Sequence, residues 1–177
     1  MEESGIKIDN KYLKKLSKEF QNQSLKLQKK IFKLSKKEFN IASPKQLGEI
    51  LFIEMGIKGG KKTKTGTYST DSAILEELSQ QGYEIAKLVL EWRELTKLRT
   101  TYTDSLLEQA QEKTYRVHTS YATATTLTGR LSSNDPNLQN IPIRTDNGKK
   151  IRNAFIGEKN NKLVSFDYSQ IELRLAA

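Results

Sequence analysis

One carboxylate near the end of the sequence has the setting of a metal ligand. Asp167 follows the apolar run 163–166, so we predict that it ends a strand spanning 162–166. A helix is predicted to begin just beyond it, because Ser169 and Glu172 have the spacing of a capping box. Metal-assisted phosphoryl transfer generally needs a second carboxylate, so this pattern supplies half of a metal site. From the residues alone, a turn or N-cap role for Asp167 is favoured over a metal-binding role, because Asp is common at caps.

The composition indicates a protein that binds an anionic polymer. The 177 residues carry a net charge of +9, with a pI near 9.6, which raises affinity for phosphate chains without specifying a fold. The absence of cysteine excludes disulfides and thiolate metal sites and is compatible with a reducing cytosol. No apolar run reaches the roughly 20 residues that span a bilayer. We therefore expect a soluble cytoplasmic protein with a polyanionic partner and no membrane contact.

The first half of the sequence is predicted to be mainly helical. Over residues 10–39, apolar residues recur at three- and four-residue steps between many lysines, which is typical of a long amphipathic helix. Because runs of charge usually form a solvated surface, we interpret this lysine-rich face as solvent-exposed, in preference to a binding site. The dipeptide Ser43-Pro44 predicts the start of a second helix. Further helices are predicted over 71–80 and from about 85 to 102.

The other segments are predicted to be a basic loop, strands and one long irregular stretch. Residues 56–70 have no apolar period, which predicts a lysine-rich loop without apolar anchors. Residues 115–121 alternate and are rich in β-branched and aromatic side chains, which predicts a strand. Residues 125–142 are polar and broken by Gly and Pro, and such long irregular segments are usually functional or disordered. The chain is therefore expected to have an α+β fold.

Five segments together carry a resemblance to a known family. Residues 167–174 (Asp-Tyr-Ser-Gln-Ile-Glu-Leu-Arg) resemble motif A of the family A DNA polymerases, the bacterial repair polymerase family. Residues 126–133 and 135–142 are similar to the palm segment that precedes that motif, and residues 40–48 and 97–104 resemble the family's thumb. These matches occur in order over nearly the whole chain, so the sequence is identified as a member of this family.

The resemblance implies a fold class and a division of the chain. It implies an α+β fragment: a mainly helical thumb over 1–112, with a basic tip loop at about 56–70, and the first strands of a polymerase palm over 113–177. The chain then ends inside the motif A helix. The fingers helix and the His-Asp hairpin, which supplies the second metal-binding carboxylate, would follow residue 177 in the family. We therefore expect this chain alone to be inactive.

The implied activity is template-directed addition of deoxynucleotides to a primer 3′ end by two-metal phosphoryl transfer. By resemblance, Asp167 is the first catalytic carboxylate. It and the backbone carbonyl of Tyr168 are ligands of two Mg²⁺ ions that are held only in the complete polymerase. Glu172 would lie under the incoming sugar and exclude a 2′-hydroxyl by its bulk, although it can also serve the capping box. The implied nucleotide-binding residues are Ser169, Gln170, Ile171 and Glu172.

The implied DNA contacts fall in both parts of the chain. Arg130, after Gly129 in a loop, resembles the residue that probes the minor-groove edge at the primer terminus, where every correct pair presents acceptors. The palm candidates are Arg130, Asn137, Gln139, Asn140, Arg144 and Arg152, although turn chemistry also explains the amides and simple solvation explains the last two arginines. The thumb candidates are Lys61, Lys62, Lys64, Lys97, Arg99, Thr101 and Tyr102.

The sequence departs from the family pattern at one place and leaves two other functions open. Ala122 and Thr123 stand where relatives usually carry an Asn or His followed by Gln, so any DNA contact of that pair is in doubt here. The alternative function is a stand-alone, non-catalytic duplex-DNA-binding module. A basic helical assembly or RNA-associated protein is disfavoured, because such a protein has no use for a strand-borne Asp167. The resemblance implies a bacterial cytoplasmic location in association with the nucleoid, with primer-template DNA, deoxynucleotides and the remainder of the polymerase as partners.

Overall fold

The longest element is a helix whose ends are fixed by local chemistry. The computed structural model describes residues 1–64 and 66–177, and α1 spans Asn10–Ser35. It begins where the Asp9 carboxylate accepts a hydrogen bond from the Tyr12 backbone N–H at 2.9 Å. It ends because Lys36 adopts a left-handed conformation with φ of 55°. The predicted helix over 10–39 is therefore confirmed in position but was four residues too long.

The next helix begins at the predicted Ser-Pro signal. Ser43 accepts a hydrogen bond from the Gln46 backbone N–H, and Pro44 occupies the first turn of α2, Pro44–Glu49. The backbone then continues without a break into a π-helical turn, Ile50–Glu54. This helical stretch buries Leu47 and Leu51 completely.

Two further helices follow the basic loop. Asp71 caps α3, Ser72–Gln80, as its carboxylate accepts from the Ile74 backbone N–H at 2.9 Å. The longer α4 spans Glu84–Leu98 and passes through a π-helical turn, Arg99–Asp104, into α5, Ser105–Gln109. The helices predicted from the apolar period are therefore confirmed, and the second continues beyond its predicted end.

The packing of α1 on α4 forms the centre of the protein. The N-terminal half of α1 buries Leu13 and Phe20 in one hydrophobic cluster with Leu98 of α4, whereas the C-terminal half buries Ile31 in a second cluster with Val89. The two helices therefore run antiparallel. Leu27 packs against both clusters, so the two cores are continuous along α1.

Short antiparallel strand pairs complete the fold. Strand β1, Ile6–Lys7, pairs with β2, Arg116–Val117. Strand β3, Ser120–Ala122, pairs with β4, Ser132–Asn134. The single strand predicted over 115–121 was wrong, because its two halves pair with different partners in two separate sheets.

Residues beyond the predicted boundary at 112 share the core of the first half. Val117 and Ile151 belong to the same cluster as Leu13 of α1. The helix that carries Ile151, α6, spans Asp146–Arg152, and its Lys150 ammonium donates to the Glu19 carboxylate at 2.7 Å. The Asp9 backbone N–H donates to the Ala154 carbonyl at 2.8 Å, which joins the segment before α1 to the segment after α6. These contacts join the two predicted regions through one hydrophobic cluster.

The strand predicted over 162–166 was wrong. These residues have no regular secondary structure, and their apolar side chains are exposed, with Phe166 92% accessible. No neighbouring strand among the described residues accepts or donates the backbone hydrogen bonds that a strand needs. The last helix, α7, spans Ile171–Ala176. The α+β fold class is nevertheless confirmed, with helices in the majority and two small antiparallel sheets.

No helix within residues 1–64 and 66–177 is long and apolar enough to cross a membrane.

Truncation of the buried Phe20 side chain is predicted to cause a large loss of stability. This side chain is 1% exposed in the cluster between α1 and α4, so Phe20→Ala should reduce the free energy of unfolding by about 3–5 kcal/mol in urea titration. Leu25, on the outer side of the same helix and 47% exposed, provides the control. Leu25→Ala should cost less than about 0.5 kcal/mol, and equal losses for the two variants would contradict this packing.

Candidate functional site

The segment that carries Asp167 is exposed. Asp167 and Tyr168 both lie on the surface, and α7 begins three residues further on, after Gln170 in a left-handed conformation with φ of 52°. The predicted capping box was wrong, since no side chain caps this helix and Glu172 does not contact the Ser169 backbone. Instead, the Ser169 carbonyl accepts a hydrogen bond from the Arg174 guanidinium at 3.0 Å. Ser169, Gln170 and Ile171 thus form the exposed turn that leads into the helix.

Arg130 and Glu172 lie together although they are far apart in sequence. An Arg130 guanidinium nitrogen (Nη2) donates to a Glu172 carboxylate oxygen (Oε1) at 3.1 Å, and both side chains remain about three-quarters exposed. The turn before Arg130 is fixed by Gly129, whose φ is 73°, and by the Thr126 hydroxyl, which donates to the Arg130 carbonyl at 2.7 Å. A surface pair of this kind contributes only about 0–1 kcal/mol, so it can be exchanged for another partner at little cost.

The Asp167 carboxylate and the Tyr168 backbone carbonyl match part of the ligand set of a divalent-cation site. A carboxylate and a backbone carbonyl are the ligand types that Mg²⁺ prefers. Within residues 1–64 and 66–177, however, no group of three or more acidic, His or Cys side chains is close enough to hold an ion. The residues of this chain therefore fit one side of such a site and do not complete it.

The amide residues of the predicted palm region are organised around two buried hydroxyls. The Thr119 and Ser133 hydroxyls share a hydrogen bond of 2.7 Å, and the carbonyl oxygens of Asn134 and Pro136 lie 2.9 and 2.8 Å from the Thr119 hydroxyl as alternative acceptors for its single proton. The Gln139 side-chain oxygen accepts from the Ser133 backbone N–H at 3.2 Å. This cluster fixes the turn at 134–139 against β3 and β4.

The three predicted amide contacts have different positions within this turn. The Asn137 side-chain oxygen accepts from the Gln139 backbone N–H at 2.9 Å, which is ordinary turn chemistry. In both Asn137 and Gln139 the side-chain oxygen makes the internal contact, whereas the side-chain NH₂ makes no hydrogen bond to any described residue. Asn140 is exposed, and its backbone carbonyl accepts from the Tyr102 hydroxyl at 2.7 Å.

The basic loop is a short hairpin with an aromatic anchor. Lys62 and Tyr68 form an antiparallel bridge, and the Ser69 backbone N–H donates to the Lys61 carbonyl at 2.8 Å. The Tyr68 ring packs on Phe52 with 4.9 Å between centroids, and the Lys62 ammonium lies 5.6 Å from the Tyr68 ring centre. The prediction that this loop lacks apolar anchors was therefore wrong.

Gly60 explains how the loop approaches the core so closely. A Cβ at this position would come within 2.7 Å of the Phe52 ring and 2.8 Å of the Tyr68 ring. The lysine side chains of the loop, Lys61, Lys62 and Lys64, are all exposed.

An open cleft lies between this hairpin and α4. Its volume is about 650 Å³, and most of its exposed lining is apolar, with Ala42, Pro44, Tyr68 and Trp92 among the lining residues. The predicted contact residues Lys97 and Thr101 line it together with the hairpin residues Ser69 and Thr70. The fold therefore places Lys97 and Thr101 beside the hairpin that carries the exposed Lys61, Lys62 and Lys64.

Arg93 connects the walls of the cleft and was missed from the sequence. One guanidinium nitrogen donates to the Thr70 carbonyl at 2.6 Å, and a second donates to the Thr70 hydroxyl at 3.3 Å. Burial lowers the pKa of Arg93, and the nearby Asp71 carboxylate opposes that effect. The one available sequence signal was its position four residues before Lys97, which places both side chains on one face of the helix.

Asp71 joins the hairpin to α3 through a charged cap. The pKa of Asp71 is lowered from its ordinary value of 3.8, chiefly by the Ile74 backbone N–H, then by the Ser69 hydroxyl and with a contribution from the positive charge of Lys61. The ionised carboxylate therefore stabilises both the helix start and the base of the hairpin.

The remaining predicted contacts lie outside the cleft. Arg99 forms an ion pair with Asp104 at 3.1 Å, and Tyr102 is buried, which raises the pKa of its hydroxyl. Tyr102 thus lies between the helices and the turn at 134–140, and its DNA contact stays a prediction. Arg144 and Arg152 are both exposed, and Arg152 lines a groove with Phe155.

The comparisons with known proteins agree on one family. The family model described as DNA polymerase family A matches residues 10–177. Over its whole length, the chain is 52% identical to DNA polymerase I of Rhizobium leguminosarum and 47% identical to that of Pseudomonas aeruginosa, of which it covers 17% and 19%. It is 47% identical to the thermostable DNA polymerase I of Thermus aquaticus and covers 21% of that protein. The chain thus spans about a fifth of the length of these curated relatives.

A solved structure gives the same result for the fold. The polymerase domain of Pol1 from M. smegmatis, determined in complex with a DNA primer-template and dNTP, superposes with a TM-score of 0.79 at 41% sequence identity. The similarity covers 88% of this chain and 27% of that one.

Arg93 is predicted to hold the hairpin against α4. Replacing it with Gln removes charged hydrogen bonds to the Thr70 carbonyl and hydroxyl, which typically contribute about 1.5–3 kcal/mol. Local opening of the hairpin should therefore rise at least about tenfold, and so should the initial rate of tryptic cleavage after Lys61, Lys62 and Lys64. Arg144→Gln, at an exposed position without a described partner, is the control. Equal cleavage rates in the two variants would contradict the role of Arg93.

The charge of Asp71 is predicted to make stability depend on pH. A carboxylate whose folded pKa is depressed adds stability above its unfolded pKa, and that stability is lost as pH falls through the folded pKa. Asp71→Asn keeps a capping side chain and removes the charge. The urea midpoint of the original chain should exceed that of the variant at pH 6, and the difference should vanish as pH falls below 3.8. A difference that is independent of pH would contradict the role of the charge.

Proposed function

Since this chain belongs to DNA polymerase family A, whose model matches residues 10–177, we propose that it is the DNA-gripping and first metal-binding part of a DNA-directed DNA polymerase. Residues 1–112 would be the thumb and residues 113–177 the beginning of the palm. The observation that carries this proposal is the match of the whole chain, including the segment around Asp167, to DNA polymerase I sequences at about half identity. The reaction is the template-directed addition of deoxynucleotides to a primer 3′ end.

In this proposal the cleft between the hairpin and α4 receives one backbone of the primer-template duplex. Lys61, Lys62 and Lys64 are exposed on the hairpin that forms one wall of the cleft, and Lys97 and Thr101 line the other wall. Ammonium groups on flexible side chains suit contacts that do not depend on base sequence. Arg93 would act as a positioning residue, because it holds the hairpin at the distance from α4 that the duplex requires.

Asp167 would hold catalytic Mg²⁺ together with the Tyr168 carbonyl, once other parts of the polymerase supply further ligands. Such ions, when bound, would supply charge neutralisation at the triphosphate and activation of the primer hydroxyl. The exposed position of Asp167 in this chain supports the proposal, because the carboxylate makes no hydrogen bond to any described residue and stays available as a ligand.

Arg130 and Glu172 would connect the primer terminus to the nucleotide site. In the structure they pair with each other. When duplex is bound, Arg130 would donate to purine N3 or pyrimidine O2 in the minor groove, which every correct base pair presents. Glu172 would then be released to lie under the incoming sugar, with Ser169, Gln170 and Ile171 forming the turn beside it. Asn137, Gln139 and Asn140 would contact the same groove, and Arg144 and Arg152 the backbone.

The working location of this polymerase would be the bacterial cytoplasm, at the nucleoid. Deoxynucleoside triphosphates and primer-template DNA would be its partners, as the solved relative was determined in complex with both.

The proposal predicts the behaviour of a chimera. The chain should replace the matching stretch of the Rhizobium leguminosarum DNA polymerase I, which is 52% identical over 177 residues, with retention of primer extension. In that chimera, Asp167→Ala should lower the extension rate about 10³-fold or more, because a metal ligand contributes several kcal/mol to the transition state. The matched control is Asp146→Ala, which removes another exposed carboxylate.

The outcome of this assay distinguishes a catalytic part of a polymerase from a non-catalytic duplex-DNA-binding module. Loss of activity with Asp167→Ala but not Asp146→Ala, with duplex affinity unchanged in both, is the expected result. A chimera that binds duplex but whose extension rate is the same with and without Asp167 would support a non-catalytic duplex-DNA-binding module and contradict the catalytic assignment.

A further inference from the structure

The positive charge of the chain is concentrated on one helix. Helix α1 contains eight lysines and one glutamate, so it carries a net charge of +7, against +9 for the whole chain. Helix α4, by comparison, carries equal numbers of acidic and basic residues. The lysines of α1 are all exposed: Lys11, Lys14, Lys15, Lys18, Lys26, Lys29, Lys30 and Lys33.

These lysines are not neutralised within the fold. Among the described residues, none of them forms an ion pair. The one acid of the helix, Glu19, forms an ion pair with Lys150 of α6 at 2.7 Å. Its charge is therefore balanced by a lysine outside α1. Lysines also recur three or four residues apart, as at Lys14 and Lys18, and such like-charged neighbours destabilise a helix. A ligand with closely spaced negative charges would relieve this repulsion.

The lysine face points away from the cleft. Lys11, Lys18 and Lys29 each lie two positions before a buried residue, and two positions on an α-helix correspond to a rotation of about 200°. The buried side of α1 packs on α4, whose outer residues line the cleft. The lysine face is therefore on the opposite side of the α1–α4 pair, and a duplex in the cleft does not cover it.

We propose that the lysine face of α1 is a second binding surface, for the phosphate backbone of a duplex DNA segment separate from the one held in the cleft. The helix is about 39 Å long, a span over which each strand of a duplex presents about eleven phosphates. Lysine ammonium groups bind phosphate as point charges, so this contact would be independent of sequence.

The chemistry of the face favours duplex DNA over other polyanions. Single strands are usually held by aromatic side chains on which bases stack, but the aromatic residues of α1 are buried or half-buried in the core. Membrane-surface helices insert an apolar face into the lipid, and the apolar face of α1 is already packed on α4. A straight row of lysines without such anchors suits a stiff, regularly charged rod.

The test compares two variants of the 177-residue chain that lose the same charge. The first replaces five lysines of the α1 face with glutamine: Lys11, Lys15, Lys18, Lys29 and Lys33. The matched control replaces five exposed lysines scattered over other surfaces: Lys45, Lys87, Lys113, Lys159 and Lys162. Fluorescence anisotropy at several salt concentrations measures binding to a duplex of about 30 base pairs, which is roughly 100 Å long. Circular dichroism checks that both variants remain folded.

The expected result is a difference in salt dependence. Each lysine that contacts a phosphate contributes about 0.9 to the slope of log affinity against log salt, so three or more contacts on α1 would lower the slope by about 2.7 or more. The scattered control should change it by less than about 1. Equal slopes in the two variants would overturn the proposal. It would also be overturned if the α1 variant lost affinity for vesicles of phosphatidylglycerol or for a single-stranded oligonucleotide more than for duplex.

A third variant separates this inference from the proposed function. Lys61→Gln, Lys62→Gln and Lys64→Gln together remove the charge of the hairpin and leave α1 unchanged. If the α1 variant alone alters the slope, the second surface stands and the hairpin grip fails. If the hairpin variant alone alters it, the second surface fails and the proposed function stands.

Discussion

The antiparallel packing of α1 against α4 is the constraint on which the other features depend. Phe20 and Leu13 pack at one end of this interface and Ile31 packs at the other. Both hydrophobic clusters therefore contain residues of α1 and α4. Helix α4 then carries Arg93 and Lys97 to the cleft, and its continuation carries Tyr102 to the turn at 134–140. A change in the α1–α4 interface would therefore move the hairpin wall and the amide turn together.

Hydrogen bonds join the packed helices to the surface segments. Tyr102 joins the helices to Asn140, Arg93 joins α4 to Thr70, and Thr119 with Ser133 anchors the turn between them. Each of these hydrogen bonds satisfies a backbone carbonyl or a buried hydroxyl. Removing the donor side chain is therefore costly, because it leaves that group without its protein partner. The charged groups outside this framework, the lysines of α1 and the hairpin, are left exposed. The protein thus combines a packed scaffold with exposed cations, an arrangement suited to a regularly charged partner.

Local features of the fold were predictable from the sequence, whereas pairings between distant segments were not. Ser43-Pro44 and the apolar period of α1 act within a few residues, so the pattern alone located both helices. The division of residues 115–121 between β2 and β3 depends on partners at 6–7 and 132–134, which no local pattern contains. The capping box failed for a related reason, because Glu172 pairs with the distant Arg130 and the helix begins after a left-handed Gln170. Tyr68 and Arg93 were missed because each acquires its role only when the hairpin meets the core.

The central claim is that the fold assembles one duplex-binding cleft from the hairpin and α4. It is tested most directly by recording amide chemical shifts of the isotope-labelled chain during titration with a short DNA duplex. The account predicts that shifts at Ser69, Thr70, Thr96, Lys97 and Thr101 change together and with one apparent affinity, because these residues line the same cleft. Binding of the duplex without any change at these five positions would contradict it.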